Sequence, residues 1–241
     1  SDYNGEKQFG VSPGQVTQKG GERWNAARAY LDPHRHQDNL HVVSHAHATQ
    51  IMFEGKRAIG VKYKVNGVKH EVHARKEVIV SGGAFGSPQL LMLSGVGPAD
   101  HLQELGIPLV HELPGVGQNL QDHITTVLIY KTSKINEAMG FSLKGALNLV
   151  KSILEWRSKR TGWITSNVSE TQGFVSTEGN TAYPNIQLAL CTGIVDDHAR
   201  KMHLGHGYTL HVTLMRPKSR GTVTLASCNP MDKPLIDPSF F

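Results

Sequence analysis

Val78-Ile79-Val80-Ser81-Gly82-Gly83-Ala84-Phe85-Gly86-Ser87-Pro88-Gln89-Leu90-Leu91-Met92-Leu93-Ser94-Gly95-Val96-Gly97-Pro98 is the stretch on which the reading of this chain turns. Its first three residues, β-branched and apolar, predict a short strand buried on both faces. A glycine-rich turn follows. Ser87 suits a helix N-cap and Pro88 the first helical position, where no N–H is needed, so a helix is predicted over Gln89–Leu93. Gly95 supplies its left-handed stop. Strand, glycine turn and helix in this order let a backbone approach a dinucleotide, because glycines remove Cβ atoms and helix N–H groups face the ligand. Gly82, Gly83 and Gly86 do not have the G-x-G-x-x-G spacing, however, and the turn taken alone serves equally as a tight structural turn.

Working outward, a second short helix is predicted over Ala99–Leu105, with Leu102 and Leu105 on one face and a stop at Gly106. Upstream, Ala58–Val65 and Val68–His73 flank Asn66-Gly67, the dipeptide that tolerates positive φ at both central positions of a hairpin turn. Lys62 and Lys64 alternate with apolar residues, so one face of that hairpin is wet. Leu40–Val43 and Ala48–Phe53 read as strands, and Glu22–Leu31 as a short helix ended by Asp32-Pro33. Downstream, Leu113-Pro114-Gly115-Val116-Gly117 is a loop after which the composition shifts. Ser142–Lys159 carries Leu143, Leu147, Val150 and Leu154 at 4-3-4 spacing, an amphipathic helix closed by Gly162. Gly173–Ser176, Asn185–Leu190, Tyr208–Met215 and Thr222–Ala226 read as strands, the last two joined by a hairpin loop over Pro217–Gly221. The fold class expected is α+β (mixed α/β), with an antiparallel sheet and covering helix in the second half.

The chain has 241 residues, 39 % of them hydrophobic, which suits one large domain or two modest ones. No apolar run approaches the roughly 18 residues of a membrane span. The opening SDYNGEKQFG shows no signal peptide, and without Met at position 1 the chain is read as an excised piece of a longer protein. Lys plus Arg number 25 against 20 Asp plus Glu, a net charge of +5. These cations are scattered among acidic neighbours such as Glu54, Glu71, Glu77 and Glu155, and lack interleaved aromatics, which argues against nucleic acid. Cys191 and Cys228 form no CxxC pair and suit a reducing compartment. Among 14 histidines, His45 with His47 and His203 with His206 have chelating spacing, but neither pair brings the further ligands a zinc site needs, and no metal is expected.

The run Gly83 to Pro98 closely resembles the second signature of the glucose–methanol–choline (GMC) flavoprotein oxidoreductases. Trp24 with Ala26–Leu31 resembles family sequence before it. Pro114-Gly115-Val116-Gly117-Gln118-Asn119-Leu120-Gln121-Asp122-His123, Arg216–Gly221 and Ile236-Asp237-Pro238 do so after it. The likeness covers essentially the whole chain and is strongest to the bacterial choline and alcohol dehydrogenase branch. Members are more than twice as long. They open with a strand–G-x-G-x-x-G–helix and end with an active-site histidine beside the flavin, and neither is found here. The resemblance therefore implies a middle piece: a connecting or substrate-domain segment with a short helix over 1–38, a partial Rossmann-like FAD-binding domain over 39–121, and an incomplete substrate domain on an antiparallel sheet over 122–241.

It also implies roles for residues. Ala48 falls where a family strand touches adenine through its backbone, and Ser81, Gly82 and Gly83 match the turn near the cofactor's ADP-ribose. Glu170 matches a substrate-domain glutamate of choline-oxidising members. A carboxylate there would pair with a quaternary ammonium, which is held by charge and aromatic faces, and Trp163 and Phe174 are candidates for such faces. Asp122 and His123 fit a loop-fixing role better than chemistry. The catalytic histidine lies outside the chain. The implied reaction of the longer protein is oxidation of a primary alcohol with hydride transfer to FAD. A quinone or other electron acceptor then takes the electrons, and a homodimer and a cytoplasmic or inner-membrane-peripheral location are compatible with the family. The chain alone is expected to bind FAD weakly and to be inactive. The alternatives are a GMC-fold lyase, an oxidase with another alcohol, or a free-standing binding module without catalysis.

Overall fold

In the computed structural model, which describes residues 2–134 and 138–241, Asn66 and Gly67 take φ of 50° and 82°. Both central residues are thus left-handed, as a two-residue hairpin turn with right-handed strand twist requires. The strands in chain order are β1 (Gly10–Pro13), β2 (Gln18–Lys19), β3 (Glu22–Arg23), β4 (Ala46–Glu54), β5 (Arg57–Val65) and β6 (Val68–His73). There follow β7 (Val96–Gly97), β8 (His111–Glu112), β9 (Thr125–Thr132), β10 (Gly140–Phe141), β11 (Ser169–Val175) and β12 (Ile186–Cys191). Last come β13 (Gly205–Leu214), β14 (Thr222–Thr224) and β15 (Leu235–Asp237). The α-helices are α1 (Gly83–Leu93), α2 (Ala99–Glu104) and α3 (Leu143–Lys159). The chain divides into two units: Ser1–Leu40 with His123–Pro217, and His41–Asp122 with Lys218–Phe241.

The second unit contains the antiparallel meander β4-β5-β6, the helices α1 and α2, and the pairs β7-β8 and β14-β15. Its core is Met92, Leu102, Val116 and Leu225, with Leu91, Leu93, Leu105 and Ile107 packed around them. Helix α1 stops as expected: Gly95 takes φ of 85° and its N–H donates to the Met92 carbonyl. It starts earlier than expected, at Gly83, with Pro88 inside it. The Ser87 hydroxyl accepts the Gly82 N–H at 3.0 Å, so it satisfies the start of a longer helix instead of capping a shorter one. Pro88 still sits in the second turn, where it removes a single intrahelical bond.

Residues 218–241 pack with this unit and not with the sheet that precedes them, which corrects the expectation of one segment over 122–241. Leu120 and Gly221 exchange backbone bonds of 2.9 and 2.8 Å, and the Val223 N–H donates to the Gly117 carbonyl at 2.7 Å. Gly117 has φ of 77°, and a Cβ there would strike the Val223 carbonyl oxygen, so glycine permits this approach. Leu225 then enters the core between α1 and α2. Strands β13 and β14 consequently do not form the expected hairpin. They belong to different sheets.

The first unit is a six-stranded antiparallel sheet ordered β1-β11-β12-β13-β10, with β9 also paired to β13. Strand β9 had no counterpart among the predicted strands, although Thr125-Thr126-Val127-Leu128-Ile129-Tyr130 is rich in β-formers. Ser142 caps α3, accepting the Gly145 N–H at 3.0 Å, and Arg160 ends it in the left-handed conformation, two residues before Gly162. Glu22–Leu31 is not one helix: it holds β3 and a π-helical turn over Ala27–Leu31, followed by a 3₁₀ turn over Asp32–His34. Leu40–Val43 is not a strand, and β4 begins only at Ala46.

Val78–Val80 also departs from expectation. It pairs with nothing among the described residues, and Ile79 is 79 % exposed. Apolar β-branched residues favour an extended backbone, but a strand exists only where a neighbour supplies its ladder.

Candidate functional site

Pairing register sorts the residues of the first unit onto two unlike faces. Gln172 faces Ala189, Ala189 faces His211, and His211 faces Val127; one step along, Phe174 faces Gln187, Gln187 faces Thr213, and Thr213 faces Thr125. Because side chains alternate, these residues share one face, and it is largely polar. Gln187 Nε2 donates to Gln172 Oε1 at 2.9 Å, Gln172 Nε2 to Ser169 Oγ at 3.0 Å, and the Thr125 and Thr213 hydroxyls share a bond of 2.9 Å. The opposite face carries Ile186, Leu188, Leu190, Leu210, Val212 and Leu128.

Glu170 sits where the β11–β12 register slips between Ser169 and Thr171, a bulge of the kind that re-aims a side chain. Its carbonyl accepts the Gly14 N–H at 2.7 Å, which pins the backbone. The slip interrupts the alternation: Ser169, opposite Cys191, and Gln172, opposite Ala189, both lie on the polar face, and Glu170 is the extra residue between the paired positions. Its side chain is exposed and takes no hydrogen bond or ion pair among the described residues. A fixed backbone with an uncommitted carboxylate suits a cationic ligand. The aromatic partners are less cooperative. Phe174 shares the face but is buried, its ring 5.4 Å from that of Tyr3. Trp163 lies in the 3₁₀ turn after α3 and lines a cavity of about 750 Å³ that Glu170 does not touch. The residue not anticipated from sequence is His211, which the register places on the polar face beside Ala189. The signal for it was the alternation within Tyr208–Met215, where His211 shares parity with Thr209 and Thr213.

The other candidates belong to the second unit. Ala48 is exposed on β4, opposite Tyr63, next to a register slip between Ala48 and Gln50 that leaves backbone unpaired. A main-chain contact needs such unpaired backbone. Ser81, Gly82 and Gly83 are all exposed at the N-terminus of α1. Gly83 has φ of 75° with nothing within 4 Å of where a Cβ would stand, so this turn presents bare backbone. Apart from the Gly82 N–H, which the Ser87 hydroxyl accepts, N–H groups at the start of an 11-residue helix complement phosphate or ribose oxygens, and the residues present fit the ADP part of a dinucleotide. Helix α1 is tied to β4 by the Ser94 hydroxyl, which accepts the Ile51 N–H at 2.8 Å and donates to the Leu90 carbonyl at 2.6 Å. Asp122 ends this unit and His123 begins the next segment of the other.

Three of the four histidines in the pairs with chelating spacing, His47, His203 and His206, are occupied by local bonds. His206 is buried between the Ser142 hydroxyl at 2.8 Å and the Ala138 carbonyl at 2.7 Å, and His47 bonds the Pro230 carbonyl at 2.8 Å. Among the described residues no group of three or more His, Cys, Asp or Glu is placed to hold a metal. His203 Nε2 lies 2.8 Å from Asp196 Oδ2, and this bond is the main reason the Asp196 carboxyl is held below its ordinary value. A lowered carboxyl adds stability above the usual carboxylate range near about 3.9 and loses it as pH falls through the lower folded value. In His203→Ala the Asp196 carboxyl is expected to titrate nearer its ordinary value, read by carboxyl NMR. Burial pushes the Cys191 thiol up, against a smaller opposite effect of its bond to Ser169, whereas Cys228 is exposed. A thiol reagent is therefore expected to modify Cys228 rapidly and Cys191 only on unfolding, counted by absorbance of the released leaving group.

The glycine turn at the start of α1 thus belongs to one unit and the antiparallel sheet with the polar face to the other. The family model described as GMC oxidoreductase matches residues 1–125, and the chain belongs to that family. It is 46 % identical to an alcohol dehydrogenase [acceptor] of Pseudomonas putida, over 99 % of this chain and 44 % of the relative. It is 43 % identical to the mitochondrial choline dehydrogenase of Homo sapiens, over 99 % of this chain and 40 % of the relative. Among solved structures, an FAD-dependent oxidoreductase from Chaetomium thermophilum superposes with a TM-score of 0.81 at 26 % identity, covering 97 % of this chain and 47 % of that one. The chain thus spans less than half the length of these relatives.

Proposed function

We propose that this chain is the central part of an FAD-dependent dehydrogenase that oxidises a primary alcohol to an aldehyde, with choline or a related alcohol as substrate. The observation that carries the reading is the exposed, uncommitted Glu170 carboxylate at the bulge of β11, the strand that brings Gln172 to the polar face, in a GMC-family chain. Ser81, Gly82 and Gly83 would hold the ADP-ribose part of FAD at the exposed turn before α1, and Ala48 would meet the adenine through its main chain. Bound FAD supplies the acceptor for the hydride that leaves the alcohol carbon. Glu170 orients the substrate by pairing its cationic end, and Gln172 and Gln187 keep that face polar and ordered. No residue of this chain is assigned to removal of the hydroxyl proton. A quinone or other carrier receives the electrons, the assembly is a homodimer, and the protein is cytoplasmic and peripheral at the inner membrane. No helix among the described residues is long and apolar enough to cross a membrane.

The test uses the longer protein, held without oxygen while choline is added. Bleaching of the oxidised flavin band supports the reading, and a band unchanged by choline and by a panel of primary alcohols overturns it. The 241-residue chain alone is expected to bind FAD weakly, with no stoichiometric flavin after equilibrium dialysis.

A further inference from the structure

Helix α3 is inverted relative to an ordinary surface helix. It meets its own unit through small and polar groups. Gly145 lies where a Cβ would strike the Gly140 carbonyl oxygen, Ser152 is buried and accepts the Ile164 N–H at 2.9 Å, and Trp156 Nε1 donates to the Gly21 carbonyl at 2.8 Å. The leucine stripe points the other way: Leu143 is 91 % and Leu147 64 % exposed, and Val150 and Leu154 are exposed with them. At 3.6 residues per turn, Lys144 and Lys151 flank this stripe next to Leu147, and Arg157 closes its C-terminal end. None of these three cations forms an ion pair among the described residues. The helix has one acidic residue, Glu155, which accepts the Thr161 hydroxyl. The cavity of about 750 Å³ lies on the other side of α3, where Gly145, Ala146, Leu149 and Ser152 line it, and the leucine stripe takes no part in its walls.

We infer that this face docks on a bilayer surface bearing anionic phospholipid headgroups. An exposed apolar stripe with a cationic flank is complementary to acyl chains below and phosphates above, and a basic amphipathic helix of this kind lies in the plane of the interface. Charge complementarity selects the bilayer, since an apolar protein segment laid on the stripe has no use for the unpaired Lys144, Lys151 and Arg157. The inference deepens the membrane placement proposed above and rests on that reading, while it is independent of the flavin chemistry.

The 241-residue chain is mixed with sedimentable vesicles of phosphatidylcholine alone or with roughly one third phosphatidylglycerol, and bound protein is measured in the pellet. Binding to the anionic vesicles is expected to be at least about 10-fold tighter, and to fall as salt is raised. Leu147→Glu with Leu154→Glu, both outside the core, is expected to abolish binding with an unchanged circular dichroism spectrum. Lys144→Gln with Lys151→Gln and Arg157→Gln should remove the preference for anionic vesicles. Equal binding to both vesicles, or binding untouched by the glutamates, overturns the inference. So does a chain that dimerises through this face without binding vesicles, or a longer protein that fails to bind where the 241-residue chain binds, since its own chain then covers the stripe. Flavin bleaching in the longer protein is read separately, so either idea can fail alone.

Discussion

Leu102→Ala is expected to cost the second unit about 2–5 kcal/mol. Leu102 is 0 % exposed and stands where Met92 of α1, Val116 of the loop before Gly117, and Leu225 beyond β14 converge. Removing its isobutyl group leaves a cavity bounded by three separate segments, none of which can close it without moving the others. One of those segments is the stretch 218–241, so the loss falls on the contact that joins it to the unit. Far-UV circular dichroism against urea reads the effect as a lower midpoint. Leu147→Ala, at an exposed position, is the control and should change stability by less than about 0.5 kcal/mol. Equal midpoints for the two variants would show that this cluster is not the core.

In the longer protein, Glu170→Gln is expected to raise KM for a quaternary ammonium alcohol about 10- to 100-fold. That range corresponds to the roughly 1.5–3 kcal/mol of an interaction with a charged group, at about 1.36 kcal/mol per decade. Glutamine keeps the shape and loses the charge, so a neutral alcohol of similar size should keep its KM within about 3-fold. The side chain is exposed on a bulged strand and its backbone bond to Gly14 survives the change, so the fold is expected to be unaffected. A loss equal for charged and neutral alcohols would make Glu170 a structural group and not a recognition one. No change for either would remove it from the site.

The candidate site was legible unevenly. Gly82, Gly83 and Gly86 mark a turn because only glycine offers such conformations freely, but their meaning came from the longer string that continues to Pro98. Glu170 drew attention only through family likeness, since a single exposed carboxylate has no local signature. His211 was missed because it sits in a strand whose face acquires meaning only when Gln172, Gln187 and Ala189 are brought beside it. Phe174, offered as an aromatic wall, is instead committed to Tyr3, a residue 171 positions away in sequence.

What the sequence by itself determined is local: the turn at Asn66-Gly67, the helix stops at Gly95 and Gly106, the cap at Ser142, and the motifs that carry the family. Each rests on backbone torsions or hydrogen bonds between residues a few positions apart. Only the tertiary structure decided that residues 218–241 cross to the second unit, and that the leucines of α3 face away from the sheet unit that carries it. An apolar periodicity states that one face of an element seeks cover. Which face is covered, and by what, depends on segments a hundred residues distant, and no local period encodes them.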